Sequence, residues 1–341
     1  MTFLCGLLLV VAGGLSVGTS SWPLKTCKKY GMEHVMFWTA LFGLCFLPWL
    51  VMCCICDVPQ VLNLIGVKKI IEANLFSLSW GIANVICIIC MVKIGFVMTS
   101  VLLGGTALVV STLIPLIFKG SGVFANAPGI CSTEGIISII AVIIMLLSII
   151  TISKAGELRD KQLGKKGVEG ENLSSAQNTF YKILSVVGGL LSTGIFMLNT
   201  YCGADILGAM EQVGITSPIK GVSIWAVGMQ MGVFFNVVYA LVLMIKNKSF
   251  SQNKSFKEFI WVCCGGLQFF IYLVCFGFGT LMMGSLGASI GNGVSQCVQT
   301  AGQQGTGLVF GEWKGVHGKP VKVLVFGFVL MLLGIVLISI K

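Results

Sequence analysis

Charge is scarce in this chain: only 10% of its 341 residues are charged, 12 of them acidic, and there are 2 histidines. Each shortage excludes a class of chemistry. No two Asp or Glu share an apolar run, so a paired-carboxylate acid/base site inside those runs is ruled out. His34 and His317 are too few, and no C-x-x-C pair has a matching His or Cys partner set, so the sequence holds no zinc motif. CCIC at 53–56 packs its cysteines too tightly to bind a metal without distant ligands, and we read it as core. No Lys or Arg lies deep in an apolar run, which disfavours phosphorylated or carboxylated substrates. An integral membrane enzyme remains only as the alternative from another class. Turnover in detergent would reveal an enzyme, whereas transport requires a sealed compartment.

What the chain has in abundance is oil. With 56% hydrophobic residues and a mean hydropathy of +0.98, it reads as a bilayer protein. Windows long enough to cross about 30 Å of hydrocarbon give nine clear spans, at 2–21, 34–56, 73–92, 95–118, 134–153, 179–201, 221–245, 259–283 and 321–340. An amide-rich strip at 285–310 makes a tenth, ninth in chain order. With no basic stretch before the first span and no small-residue cleavage site, that span reads as a retained helix. Most cysteines lie within spans, as small apolar fillers. The net charge of +10 reflects placement: seventeen of the 22 basic residues follow odd-numbered spans, and only Lys68, Lys69, Lys119, Lys220 and Lys341 lie opposite. By the positive-inside rule both termini are outside and the odd-numbered loops, with the long polar connection at 155–177, are cytoplasmic. The charge sets orientation and implies no nucleic-acid partner.

The connection at 155–177 separates two similar stretches. VVAGGLSVG at 10–18 matches VVGGLLSTG at 186–194, and IMLLSIITIS near 144–153 matches LMLLGIVLIS near 330–339. Residues 1–154 and 178–341 therefore read as two five-helix repeats, and an odd number of helices inverts the second relative to the first. The stretch from 57 to 76 begins with a proline turn, its VPQVLNLIGVKKII portion has apolar residues at helical spacing, and it reads as an interfacial outer segment and not as part of a span.

Asn292, Gln296, Gln299 and Gln303 are spaced 4, 3 and 4 apart, one stripe on a helix. Lipid-facing amides cost several kcal/mol each, so the stripe must face protein or water. Further uncharged polar pairs share helix faces nearby: Trp80 and Asn84, Ser192 and Asn199, Gln230 and Asn236, Gln268 and Tyr272. Together they describe a cavity rich in hydrogen-bonding groups without formal charge. Interhelical clamping is the competing account of the same amides. A neutral polyol fits the lining, with amides matching hydroxyls and rings packing on the apolar face of a pyranose. No cofactor or metal is implied, and the expected partners are a small neutral sugar and the bilayer, for a monomer or weak homodimer.

PLKTCKKYGME at 23–33, WGIAN at 80–84, STEG at 132–135, KAGELRDKQLGKKG at 154–167, QFFIY at 268–272 and GLVFGEW at 307–313, in this order, resemble the L-rhamnose-proton symporter family of the drug/metabolite transporter superfamily. The resemblance implies an all-α membrane protein of ten helices with a cytoplasmic central loop, in a bacterial inner membrane, importing a deoxy-sugar with a proton. Position by position it extends to Pro23, Lys25, Lys28, Lys29, Glu33, Trp80, Asn84, Glu134, Asn236, Gln268, Tyr272 and Glu312. The chain departs from the family pattern at the glutamine strip, where aromatics and a histidine are expected, and at Ile86 and Cys87. L-rhamnose or a related neutral sugar is therefore the expected substrate, with export or facilitated passage of another small neutral metabolite as the runner-up.

Proton coupling asks for a carboxylate or histidine that is alternately exposed and desolvated. The nearest acids are Glu33 at the start of span 2 and Glu134 at the start of span 5. A surface ion pair with Lys28 or Lys29 is the plainer account of Glu33, and a favourable helix N-terminus that of Glu134. A sodium site at glycine-broken helices, or no coupling, stays open beside the proton. Cys131 and Cys202 both fall on the expected outer side, where a disulfide could form.

Overall fold

The computed structural model describes residues 2–118, 129–164, 173–251 and 255–339. Every regular element among the described residues is helical: α1 (Thr2–Thr19), α2 (Met32–Ile55), α3 (Val58–Ile65), α4 (Val67–Ile94), α5 (Ser100–Ile117), α6 (Thr133–Gln162), α7 (Ser175–Gln212), α8 (Pro218–Gly228), α9 (Gln230–Lys246), α10 (Phe256–Met282), α11 (Ser285–Val309) and α12 (Lys319–Ser339), joined by short turns. Among the described residues eight helices are long and apolar enough to cross a membrane, and α8 with α9, bent by 52°, make a ninth if counted as one span. α11 is not among them. Its 25 residues make about 38 Å of helix, yet glycines and amides keep its composition too polar. It stays out of lipid by packing against α1, α5, α6 and α10.

Three expected boundaries move. The stretch at 57–76 is not one outer segment: Gly66, with φ of 79°, separates α3 from α4, which runs on unbroken from Val67. α6 continues to Gln162, so the first turns of the 155–177 connection are helical. The seventh span is broken, and the cause is local. The Gln230 side chain donates to the Ala226 carbonyl at 2.7 Å. Asn74 of α4 donates to the Val227 carbonyl at 2.9 Å and accepts from the Met231 amide at 3.0 Å. Ser77 Oγ accepts from the Gly232 amide at 3.2 Å. Side chains thus occupy the hydrogen bonds that an unbroken helix would make to itself, a recognised origin of sharp bends.

Pairings between helices follow a pattern. α1 packs on α10 and α11, and α7 packs on α4 and α5; α2 packs on α10, and α9 on α4; α6 packs on α12, and α5 on α11. Bare backbone makes two of these contacts close. A Cβ on Gly43 of α2 would stand 2.3 Å from the Gly266 carbonyl of α10, and one on Gly232 of α9 would stand 2.3 Å from the Ser77 carbonyl of α4. Gly232→Ala is therefore expected to lower the melting temperature in detergent, at a cost of about 1–3 kcal/mol or more. Gly208→Ala, in a helical position with open space around it, is the control and should be neutral or slightly stabilising. Equal melting of both variants and the parent would contradict this packing.

Candidate functional site

A cavity of about 150 Å³ lies among the last turn of α1, the first turn of α5 and the middle turns of α4, α7, α10 and α11, with room for on the order of ten waters. Six of its lining residues come from the first half and six from the second. Trp80, Phe269 and Tyr272 form a run of edge-to-face rings along one side, with centroid separations of 6.3 and 5.7 Å. Asn84, Ser192, Gln296 and Gln299 supply the amides and the aliphatic hydroxyl, and Val17, Ala83, Cys87, Leu103 and Ile195 supply small or aliphatic walls. No acid, basic side chain or histidine is among these residues. Such a surface can hydrogen-bond hydroxyls and stack against an apolar ring face, but it offers no counter-charge to an anion.

Of the twelve residues the sequence proposed for binding, Trp80, Asn84, Ser192, Tyr272, Gln296 and Gln299 are brought together here. The other six lie elsewhere, each for a visible reason. Asn236, 1% exposed, stands behind Asn84 and accepts from its Nδ2 at 2.6 Å. Gln230 is used at the α8–α9 break. Asn199 donates to Thr280 Oγ1 at 3.0 Å, clamping α7 to α10. Gln268, at mid-length of α10 and one residue before Phe269, is engaged by Trp22, whose Nε1 donates to its Oε1 at 2.9 Å. Asn292 donates to Ser111 Oγ of α5 at 2.8 Å. Gln303 is half-buried and away from the cavity. The amide stripe is thus divided: its middle two members face the cavity, and Asn292 is an interhelical clamp.

Phe269 was missed although it shares a face with Tyr272 three residues on, the spacing that singled out the other pairs. Asn74 and Ser77 were missed because nothing local marks a side chain that completes another helix's backbone.

Both proton-coupling candidates lie away from the cavity. Glu33 is 8% exposed and makes no ion pair with Lys28 or Lys29. Its carboxylate accepts from Ser249 Oγ at 2.8 Å and Asn247 Nδ2 at 3.2 Å, tying the start of α2 to the end of α9. The carboxylate beside those lysines is Glu258, which accepts backbone N–H bonds of 2.8–3.2 Å from Lys28, Lys29 and Tyr30. Glu134 is exposed in the first turn of α6, where Ser132 caps the helix by accepting from the Gly135 amide at 3.1 Å. At the same basic-rich end of the bundle as Glu33, Glu312 accepts from Lys25 at 2.5 Å and Arg159 at 2.7 Å, joining three chain segments. Cys131 and Cys202 are both free thiols, the first exposed and the second buried.

A protein-family model for the L-rhamnose-proton symport protein (RhaT) matches residues 2–341, nearly the whole chain. The chain belongs to that family. It is a transporter family, which agrees with a cavity lined by uncharged residues and separates the chain from the enzyme alternative. Among curated proteins, an L-rhamnose-proton symporter of Pectobacterium atrosepticum is 24% identical over 97% of this chain and 95% of its own length. Symporters of the same description from Shigella sonnei and Yersinia pestis are each 22% identical, over 96% of this chain and 94% and 95% of theirs. Cys87, Gln296 and Gln299, which the sequence reading set apart from the family pattern, all line the cavity.

Proposed function

We propose that the chain is a secondary transporter importing a neutral monosaccharide, L-rhamnose or a related deoxy-sugar, by proton symport across a bacterial inner membrane. The observation that carries this reading is the uncharged, partly open cavity of rings, amides and one aliphatic hydroxyl, built equally by both halves of the chain. Ten crossings are reached by counting the broken α8–α9 pair as one span and adding α11. The two halves then relate as inverted five-helix repeats, which the pairing pattern supports: exchanging each helix for its counterpart turns α1 on α10 into α7 on α4, and α2 on α10 into α9 on α4. In such folds substrate binds between the repeats, and rocking of one half against the other alternates access. The basic-rich helix ends support an orientation with both termini outside.

The coupling ion we assign is the proton. Glu33 and Glu134 are the candidate carriers; the Glu33 carboxylate joins α2 to α9, and protonation would remove the charge that holds Ser249 and Asn247. The test is uptake of a radiolabelled sugar panel into proteoliposomes with and without an imposed proton gradient. Gradient-driven accumulation of a deoxy-hexose is expected. Entry that is indifferent to the gradient would remove symport, and silence across the panel would remove the sugar. Glu33→Gln should abolish accumulation while leaving equilibrium binding in place; accumulation by that variant would take Glu33 out of the scheme.

A further inference from the structure

Three side-chain amides face the cavity, and one is unlike the others. Gln296 and Gln299 are bonded through their side chains to no other described residue, so each can turn oxygen or nitrogen to a ligand. Asn84 is held in one sense, and chemistry alone assigns which. The Gly232 carbonyl can only accept, so the Asn236 atom 2.8 Å away is its Nδ2. That leaves Asn236 Oδ1 as the atom 2.6 Å from Asn84, which must therefore offer its own Nδ2. Asn84 Oδ1 remains, and it accepts no hydrogen bond from the described residues.

We propose that Asn236 is a positioning residue for substrate recognition. Tied to the backbone of α9, it locks the Asn84 amide so that the cavity presents a carbonyl oxygen there and selects a ligand hydroxyl that donates. This rests on the sugar-transport reading and deepens it: one ring hydroxyl is read strictly as a donor, while those near the glutamines meet amides that can adapt. A hydroxyl donates; fluorine does not.

The test is equilibrium binding of L-rhamnose and its single-position deoxy and deoxyfluoro analogues to the purified protein, followed by quenching of tryptophan fluorescence, since Trp80 lines the cavity. At one ring position both analogues should bind at least about tenfold more weakly than the parent sugar, the scale of one lost hydrogen bond with its partner left unmatched. At the positions near the glutamines the fluoro analogue should bind better than the deoxy one. In Asn236→Leu the freed Asn84 amide can rotate, and the fluoro analogue at the strict position should recover relative to the parent. A merely structural role would weaken every analogue in parallel. Asn236→Asp, in its protonated form, keeps both the donor to the Gly232 carbonyl and the acceptor for Asn84, and at a pH where that form holds it should keep the discrimination. The proposal is overturned if no position shows joint loss of both analogues in the wild-type panel, a readout that needs no variant to fold, or if the strict position persists in Asn236→Leu. Failure of the parent sugar to bind is a different result, and it removes the transport reading together with this one.

Discussion

Asn74→Leu should be the most damaging single change in the membrane-embedded part of this protein, although leucine nearly matches asparagine in size. The variant deletes the donor to the Val227 carbonyl and the acceptor for the Met231 amide, two of the groups that α8 and α9 leave to side chains at their bend. Neither group has water to turn to, because helix backbone at membrane depth is satisfied by protein or not at all. Each orphaned group costs about 1–3 kcal/mol, so the pair represents about 2–6 kcal/mol, a large share of a typical folding free energy. The expected result is a large fall in melting temperature in detergent and little protein in the membrane. Ser77→Ala removes only the 3.2 Å bond to the Gly232 amide and should cost less. Should Asn74→Leu melt with the parent protein, α8 and α9 would have to close into one straight helix that restores the ladder, and the broken span would not be a fixed feature.

Replacing Gln296 and Gln299 together by leucine should weaken sugar binding severely while leaving the fold intact. Both side chains line the cavity, and neither amide is bonded to another described residue, so their removal breaks nothing within the protein. A bound polyol would lose two amide partners. At about 1.4 kcal/mol for each tenfold step and about 1–1.5 kcal/mol for each hydrogen bond, affinity should drop by about a hundredfold, with melting unchanged. Gln303→Leu, on the same stripe but outside the cavity, should bind as the parent does. Asn292→Leu should behave in the opposite way, disturbing stability through the lost bond to Ser111. Undiminished binding by the Gln296 and Gln299 double variant would mean that the sugar sits elsewhere.

The contrast among these four stripe residues marks where sequence reasoning reached its limit. Spacing of 4, 3 and 4 places them on one helical face. That face is wide enough to meet α5 at one level and the cavity at another. Nothing local distinguishes Asn292 from Gln296; the difference is that Ser111 stands 2.8 Å from the first amide, while the second faces space. Asn84 and Asn236 illustrate the same limit between helices. Each has a polar spacing partner on its own helix, but only their approach across α4 and α9 makes one a wall of the cavity and the other its support. The acid at position 33 was legible as a buried-end candidate, but its lysine neighbours in sequence are not its partners in space, because those backbones turn toward Glu258.

By itself the sequence determined residence in a membrane and the approximate places of the helices. These follow from quantities that accumulate along a run or repeat with the helical period, and so need no knowledge of neighbours. The tertiary structure alone decided which polar side chains enclose space, which clamp helices, and which mend a broken backbone. Those roles depend on what stands across a gap of a few ångströms, and in the bilayer an unmatched polar group must find such a neighbour or a cavity.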